Sequence, residues 1–295
     1  MKKILSIMTM LGIAVSAPLT AVATPEQDLK EFRAYFMERF PGVPLNRFQD
    51  GIYAIDEARR SEWVGFEDFA PPYEDGVALG EELFNTPFAN GKTYASCFEN
   101  NGMGVRQNYP YYDTAKDEVV TLEGAINACR VSNGEEPLGW KKGKLAAISA
   151  YMAYTSRGNK MDIEIPDDPQ AHEAYERGKA HFYAKRGQLN MACADCHVYN
   201  AGRMVRANLL SPGLGHVSHF PVWRKKWAAK SAAKSASGEM SPTAGFGTLH
   251  RRYGGCNKQV RAKPFPAQSD EYKALELFHS YMSNGIEVNG PSLRQ

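Results

Sequence analysis

Residues 193–197 read Cys-Ala-Asp-Cys-His, and this pattern constrains the chain more than any other part of its sequence. Thiols three positions apart, such as those of Cys193 and Cys196, can add to the two vinyl groups of a haem, and His197 then ligates the iron from one face. A zinc half-site would need two more ligands, and the chain has no second Cys-x-x-Cys. A thioredoxin-like redox pair is typical of a βαβ unit, which this region does not suggest. The sequence therefore predicts covalent attachment of haem c.

The start of the chain predicts a secretory signal peptide. Lys2 and Lys3 precede an apolar stretch over residues 4–15, and residues 21–23 supply the small side chains of an A-x-A cleavage site. The apolar stretch is shorter than the ~20 residues of a membrane-spanning helix and no later stretch is long enough, so we expect no membrane span. The mature chain then begins at Thr24 in the periplasm, an oxidising compartment. A formal net charge of +2 is too small for a nucleic-acid-binding surface.

The number of cysteines restricts their roles in such a compartment. The chain has five, of which haem attachment uses two. At most one disulfide can form among the other three, so one sulfur is left with another role. These three are Cys97, Cys129 and Cys256.

An internal repeat indicates which sulfur is left over. The segment Gly80–Phe84 resembles Gly178–Phe182, and Cys97 follows the first glycine by 17 residues as Cys196 follows the second by 18. An Asn-x-Gly triplet, a solitary cysteine and an apolar helical pattern containing Tyr-Met then follow in the same order in both halves. Because so many landmarks recur in order, the sequence predicts duplication of one small helical module rather than chance similarity.

The first copy of the repeat lacks haem-binding residues. Tyr94 replaces the first thioether cysteine and Phe98 replaces the ligand histidine, so this module cannot hold haem c in the usual way. If the modules share a fold, Cys97 and Cys129 face the same vacated pocket, and a disulfide is expected provided that their Cα atoms come within ~7 Å. The bridge would close a loop of about thirty residues and contribute ~3 kcal/mol through the denatured state. Cys256 then stays unpaired, where the other haem face of the second module should lie.

The surroundings of Cys256 fit an iron ligand. Gly254 and Gly255 let the backbone approach a flat macrocycle without Cβ clashes. Local positive charge favours the thiolate, which is the ligating and reactive form of cysteine. The basic residues concerned are Arg251, Arg252, Lys258 and Arg261.

Other interpretations of the second haem face stay open. Cys256 could be a buried structural cysteine beside a solvated basic loop. A carrier cytochrome would use methionine as its sixth ligand, and the candidates by composition are Met204, Met240 and Met282. His216 and His219 could be distal ligands, metal ligands, or surface or pocket-lining groups.

The chain resembles the SoxA family, the haem c subunits of the SoxAX complexes of bacterial thiosulfate oxidation. The resemblance rests on residues 193–197, on Arg-Arg-Tyr-Gly-Gly-Cys-Asn-Lys-Gln-Val-Arg-Ala at 251–262, on the helical pattern at 271–282 and on the two-module layout. It covers nearly all of the mature chain. The second of these segments is the specific one, since haem motifs alone occur in many cytochromes. The chain is similar to the members that carry a single haem.

This resemblance implies a mainly α fold. Two cytochrome c-like helical domains related by duplication are expected, the first lacking haem, with an N-terminal extension lying across them. The expected boundaries are 1–23 for the signal peptide, 24–75 for the extension, 76–165 for the domain without haem and 166–295 for the haem-binding domain.

The resemblance also implies roles for individual residues. Cys193 and Cys196 would hold one covalent haem c, with His197 as the proximal iron ligand and Cys256 as the distal ligand. Cys256 is also the implied catalytic group, able to carry an extra sulfur as a persulfide. Arg252 matches a family arginine that binds the anionic substrate, and the charge of Lys258 makes it a second candidate.

The implied activity is that of an L-cysteine S-thiosulfotransferase, which joins thiosulfate oxidatively to a cysteine of the SoxYZ carrier protein. The implied partners are a SoxX-type cytochrome subunit in a heterodimer, the SoxYZ carrier, and an external cytochrome c that takes the electrons. The alternative function is a soluble periplasmic c-type electron carrier without catalysis of its own. The accessibility of Cys256 distinguishes the two functions, because the enzyme needs a sulfur that substrate can reach and a carrier needs a buried, inert sixth ligand.

Overall fold

A computed structural model describes residues 23–235 and 240–294 of the protein. The predicted signal peptide, apart from Ala23, lies outside the described residues. The described chain is mainly helical with a few short strands, so the predicted fold class is confirmed. Within those two ranges, no helix combines the length and the apolar character that crossing a membrane requires.

The N-terminal extension packs against the second half of the chain. Its first helix, α1, is Pro25–Arg39, and Thr24 caps it by accepting a hydrogen bond from the Gln27 backbone N–H. A 3₁₀ segment, Leu45–Ala54, and helix α2, Glu57–Phe69, follow. Asp28 on α1 accepts hydrogen bonds from the Tyr175 hydroxyl at 2.9 Å and from Lys179 at 2.6 Å, which fixes α1 to the helix that carries both residues.

The first module contains three helices and one hairpin. In chain order these are α3 (Glu74–Asn85), the antiparallel strands β1 (Tyr111–Asp113) and β2 (Glu118–Val120), α4 (Leu122–Ser132) and α5 (Lys144–Tyr154). Short 3₁₀ turns at Tyr94–Cys97, Glu99–Gly102 and Arg106–Asn108 connect α3 to the hairpin.

The second module begins with α6 (Pro169–Tyr183) and a π-helical turn at Asp195–Tyr199. A small ribbon, β3 (Met204–Val205) with β4 (Asn208–Leu209), precedes strand β5 (Val222–Arg224). The remaining elements are α7 (Lys225–Ala232), β6 (Phe246–Gly247), α8 (Leu249–Gln259), α9 (Asp270–Tyr281) and β7 (Ser292–Arg294). Strand β5 lies between its antiparallel neighbour β6 and its parallel neighbour β7.

The same close helix crossing occurs in both modules. A Cβ atom added at Gly80 on α3 would lie 2.1 Å from the Ala147 carbonyl oxygen on α5, and one added at Gly178 on α6 would lie 2.0 Å from the Ala274 carbonyl oxygen on α9. Only glycine permits backbones to approach this closely. The glycine of each repeated pentapeptide is therefore required by helix packing, and the phenylalanine that ends each pentapeptide is buried beside the crossing.

Aromatic side chains and a disulfide fill the first module. Tyr94 is buried, with its ring centroid 5.7 Å from that of Phe84 and 4.9 Å from that of Phe88. Cys97 and Cys129 are joined in a disulfide with their Cα atoms 5.8 Å apart, which is the pairing that the repeat predicted. The position of the first missing thioether cysteine is thus part of a packed aromatic core.

Candidate haem and thiol site

One cavity brings together the residues that the sequence assigns to haem. It has a volume of about 340 Å³ and lies between the segment that follows α6 and helix α8. Its lining includes Cys193, Cys196, His197 and Cys256, although Cys256 is 59 or more residues away from the other three along the chain. Folding therefore places the two attachment thiols, the histidine and the fifth cysteine around a single space.

The His197 ring is held in one orientation by the backbone. Its Nδ1 lies 2.9 Å from the carbonyl oxygen of Ser211. A carbonyl only accepts hydrogen bonds, so Nδ1 donates to it, and Nε2 is the ring nitrogen left to ligate a metal. A backbone carbonyl on one ring nitrogen is the usual partner of a histidine that ligates a metal through the other.

The three free cysteines of the site differ in electrostatic surroundings. Burial raises the pKa of Cys193 to about 12, and burial also raises the pKa of Cys196. Burial acts in the same direction on Cys256, but the charge of Arg252 and the contact with His197 outweigh it and lower the pKa of this thiol to about 7. Cys256 is therefore the sulfur that most readily exists as a thiolate.

Positive charge dominates the polar part of the lining. Among the described residues that line the cavity there are five arginines and no aspartate or glutamate. The arginines are Arg186, Arg206, Arg224, Arg252 and Arg294. The cavity therefore suits a guest that carries negative charge.

Two neighbouring arginines on α8 have different surroundings. Arg252 lines the cavity and is the cation that acts most strongly on Cys256. Arg251 lies over the Trp227 ring, 3.8 Å from its centroid, and donates to the Phe246 carbonyl oxygen. Lys258 is exposed and is not among the lining residues. Of the basic residues singled out near Cys256, the structure thus brings Arg252 to the site and places Lys258 outside it.

The histidines of the Gly-His-Val-Ser-His segment are buried in the wall of the cavity. His216 packs against His197 with ring centroids 4.6 Å apart, and His219 Nδ1 donates to the Gln49 carbonyl oxygen at 3.1 Å. Burial holds the pKa of both side chains well below the usual value, so both are neutral. Over residues 23–235 and 240–294, no group of three or more His, Cys, Asp or Glu side chains could hold a metal ion. These two histidines therefore line the pocket.

The methionines considered as sixth ligands lie elsewhere. Met204 and Met240 are about half exposed, and Met282 is buried in the core away from the cavity lining. Met191 does line the cavity, but it stands two residues before Cys193 on the attachment segment itself. Cys256 lines the cavity and would be available as a second iron ligand beside His197.

The donor set fits covalent haem c. Two thiols three residues apart share the cavity with a histidine whose Nδ1 is held by a backbone carbonyl, and much of the remaining lining is apolar, including Phe182, Leu249 and Leu275. Cys193 and Cys196 would hold the macrocycle, and His197 and Cys256 would ligate the iron. Sequence reasoning missed Arg294, which reaches this cavity through the pairing of strands that are far apart in the chain.

Comparisons with known proteins identify the family of the chain. A family model described as SoxA/TsdA, cytochrome c domain, matches residues 79–161. This match falls on the first of the two modules that the repeat predicts.

Curated relatives match nearly the whole chain. A protein of Chlorobaculum thiosulfatiphilum named L-cysteine S-thiosulfotransferase subunit SoxA is 52% identical over 273 residues, spanning 92% of this chain and 89% of its own length. The protein of the same name from Allochromatium vinosum is 49% identical over 279 residues, spanning 94% of this chain and 92% of its own length. The crystal structure of SoxXA from P. pantotrophus has a TM-score of 0.67 at 30% identity, covering 88% of this chain and 90% of that one.

Proposed function

Because this chain belongs to the SoxA family, we propose that it is the haem c subunit of an L-cysteine S-thiosulfotransferase. In this function it joins thiosulfate oxidatively to a cysteine of the SoxYZ carrier protein. The observation that carries the proposal is the position of Cys256, which shares an arginine-lined cavity with Cys193, Cys196 and His197 and has a thiol pKa lowered to about 7. An electron carrier has no use for a reactive sulfur beside its haem.

The overall reaction balances with two electrons and one proton released. Thiosulfate and a carrier thiol give a carrier S-thiosulfonate, in which a new sulfur–sulfur bond joins the two, plus H⁺ and 2 e⁻. When bound, haem c accepts electrons one at a time. Joining the Cys256 sulfur, as the thiolate or as a persulfide, to the outer sulfur of thiosulfate gives a covalent adduct and releases the two electrons, which haem c would pass on; the proton comes from the carrier thiol. The carrier thiolate then attacks the sulfur–sulfur bond of this adduct and releases Cys256.

Arg252 has the task of binding the dianion beside Cys256. It lines the cavity and its charge lowers the pKa of Cys256, so a sulfonate oxygen bound to its guanidinium group would lie close to the nucleophilic sulfur. Lys258 lies outside the cavity, and its part in the proposal is to attract anionic substrate toward the entrance.

The remaining features of the proposal concern assembly and location. One haem is proposed, because the first module has a buried aromatic core at the position of its missing attachment cysteine. The partners are a SoxX-type subunit in a heterodimer, the SoxYZ carrier and an external cytochrome c. The location is the periplasm, after removal of residues 1–23. The domains are 24–75, 76–165 and 166–295, with the two helix crossings at Gly80 and Gly178 supporting two related modules.

Replacement of the nucleophile tests the proposed chemistry. The Cys256→Ser protein with haem attached, assembled with its partner subunit, should lose thiosulfate-dependent turnover of the carrier by roughly 10³-fold or more, as expected when a covalent nucleophile is removed. The ferric haem spectrum of the unaltered protein should be that of a low-spin site with histidine and thiolate ligands. Undiminished turnover of the Cys256→Ser protein, or histidine–methionine ligation in the unaltered one, would contradict the proposal.

Two adjacent arginines provide a matched test of substrate binding. Arg252→Met should raise the KM for thiosulfate roughly ten- to hundred-fold, the loss expected for a hydrogen bond to a charged group. Arg251→Met removes the same charge from the next position, but from a side chain that packs on Trp227, and should leave the KM within about two-fold. Equal effects of the two variants would mean that only the summed charge matters and would remove Arg252 from the site.

A further inference from the structure

Two arginines face each other on neighbouring strands at the cavity. Strand β5 pairs in parallel with β7, and in this register Arg224 is the direct partner of Arg294. Both side chains line the cavity. Like charges directly opposite each other on one face of a sheet are destabilising, so an anion bound on the same face would relieve the repulsion between them.

Arg294 is held rigidly and has one donor group unused. Only 9% of the residue is exposed, and its guanidinium group lies 5.3 Å from the ring centroid of Tyr53 and 5.6 Å from that of Trp63. Its Nη1 donates to the Leu293 carbonyl oxygen at 2.7 Å and its Nη2 to the Gln49 carbonyl oxygen at 3.3 Å. The buried Nε has no hydrogen-bond partner among the described residues.

Among the described residues, no carboxylate forms an ion pair with Arg294 within 4.0 Å of its guanidinium nitrogens. The two carboxylates that act on its pKa are already paired, Asp50 with Arg60 and Glu67 with Arg157. Burial lowers the pKa of Arg294, which means that the charged form is poorly solvated. The charged and titratable groups that face Arg294 are Asp50, Glu67, Tyr53, Tyr73, His219 and Arg224.

A glycine leaves room beside the unused donor. Gly51 has a φ of +65°, and a Cβ added there would lie 3.6 Å from Arg294 Nε, 3.4 Å from Ser211 Oγ and 3.3 Å from the His219 ring. Any larger residue at position 51 would therefore fill the space beside these polar groups. His219 and Arg294 are both hydrogen-bonded to the Gln49 carbonyl oxygen, so one backbone group fixes this wall of the cavity.

We propose that Arg294 binds a propionate carboxylate of the haem c that Cys193 and Cys196 hold, with Arg224 beside it on the neighbouring strand. The covalent attachment brings two carboxylates into this cavity, and a guanidinium nitrogen is a strong partner for a carboxylate oxygen. A dianionic substrate is the other source of the same chemistry. It is disfavoured because Arg252 lies one turn before Cys256 on α8 and is the charge that acts on Cys256 most strongly, whereas Arg294 is on strand β7 and is not among the groups that act on it most. The inference rests on haem c attachment and is independent of the thiosulfotransferase activity.

The pH dependence of the haem midpoint potential tests this site without any turnover. A propionate bound to Arg294 has a low pKa, and replacing the cation in Arg294→Met raises that pKa. The pH region over which the midpoint potential falls should therefore move to higher pH in the Met variant and should stay in place in Arg294→Lys. The propionate bending bands in the resonance Raman spectrum should shift in the Met variant, while the KM for thiosulfate stays unchanged. The matched control is Arg203→Met, at an exposed arginine outside the cavity lining, which should change none of these.

Each alternative result has a definite meaning. A raised KM for thiosulfate with unchanged bending bands would assign Arg294 to the substrate and overturn the proposal. If neither the propionate bending bands nor the pH region of the midpoint potential changes, Arg294 has only a structural role, and the proposal is also overturned. If Arg294→Met fails to retain haem, the bending bands of the unaltered protein are compared in H₂O and D₂O. A carboxylate that accepts an N–H bond must show a deuterium shift, and its absence would also refute the site.

Discussion

Removal of the Cys97–Cys129 disulfide should destabilise the first module and leave the haem site intact. The most selective perturbation is Cys97→Ser, because Cys97 is exposed while Cys129 is buried. The serine hydroxyl meets solvent at position 97, and the sulfur packed in the core stays in place. The variant therefore changes the cross-link with little change in packing.

The size of the effect follows from the length of the closed loop. The two cysteines are 32 residues apart in the sequence. In the chain-entropy description, a cross-link of this span removes about 12 cal/mol/K of entropy from the denatured state, which is about 3.7 kcal/mol at 25 °C. We therefore expect the free energy of unfolding to fall by about 3–4 kcal/mol.

Two signals in one urea titration can check this value. Far-UV circular dichroism reports the helices of both modules, and the haem Soret band reports the second module. The far-UV transition of Cys97→Ser should begin at lower urea than that of the unaltered protein, while the Soret transition moves less. Hydrogen exchange of the α4 amides, beside Cys129, should accelerate most. The control is Ser96→Ala, an exposed neighbour, for which a change within about 0.5 kcal/mol is expected.

A loss below about 1 kcal/mol would refute the reasoning. It would mean that residual packing of the aromatic side chains around Tyr94 already limits the conformational entropy of the denatured chain, so that the cross-link removes little more. A Soret transition that shifts as far as the far-UV one would contradict the expectation that the two modules respond separately.

Two further predictions follow from the packing of the second module. Gly178→Ala places a Cβ 2.0 Å from the Ala274 carbonyl oxygen, so it should force α6 and α9 apart and lower the free energy of unfolding by about 1–3 kcal/mol or more, measured as loss of haem on heating. The control is Gly65→Ala, whose added Cβ meets nothing within 4 Å and which should be neutral or up to about 1 kcal/mol stabilising. Burial, and after it the charge of Arg186, lowers the pKa of His181 to about 4. Between pH 6.5 and 4, His181 is therefore protonated in the unfolded chain and neutral in the folded one. Stability should fall as pH drops from 6.5 toward 4, by at most about 1.4 kcal/mol per pH unit from this group, and His181→Phe should flatten the slope in urea titrations at several pH values.

Features carried by short patterns were predictable from the sequence. The predicted haem attachment residues form one pentapeptide, and the Cys97–Cys129 pairing was predicted by comparing two similar segments of the sequence. The prominence of Cys256 came from counting cysteines in an oxidising compartment. Each of these depends on residue types at fixed spacing, which the sequence displays directly.

Features that depend on long-range pairing were not predictable. Arg224 and Arg294 are 70 residues apart and become neighbours only because β5 and β7 pair in parallel. The charge near Cys256 pointed equally to several basic residues, and helix geometry separated them, with Arg252 at the cavity, Arg251 on Trp227 and Lys258 exposed. Side-chain direction on a helix depends on what packs against it, which composition does not contain.

The buried Tyr94 core of the first module has a consequence for how the protein tolerates change. A core built from separate side chains can be altered one residue at a time, because its neighbours can repack around each substitution. The second module surrounds the cavity proposed for haem, and a rigid guest there would not repack around a substitution in the lining. We expect sequence drift, insertions and redesign to be accepted mainly in residues 76–165. Labels or surface anchors are therefore best attached within residues 76–165 when the chemistry at Cys256 is to stay unchanged.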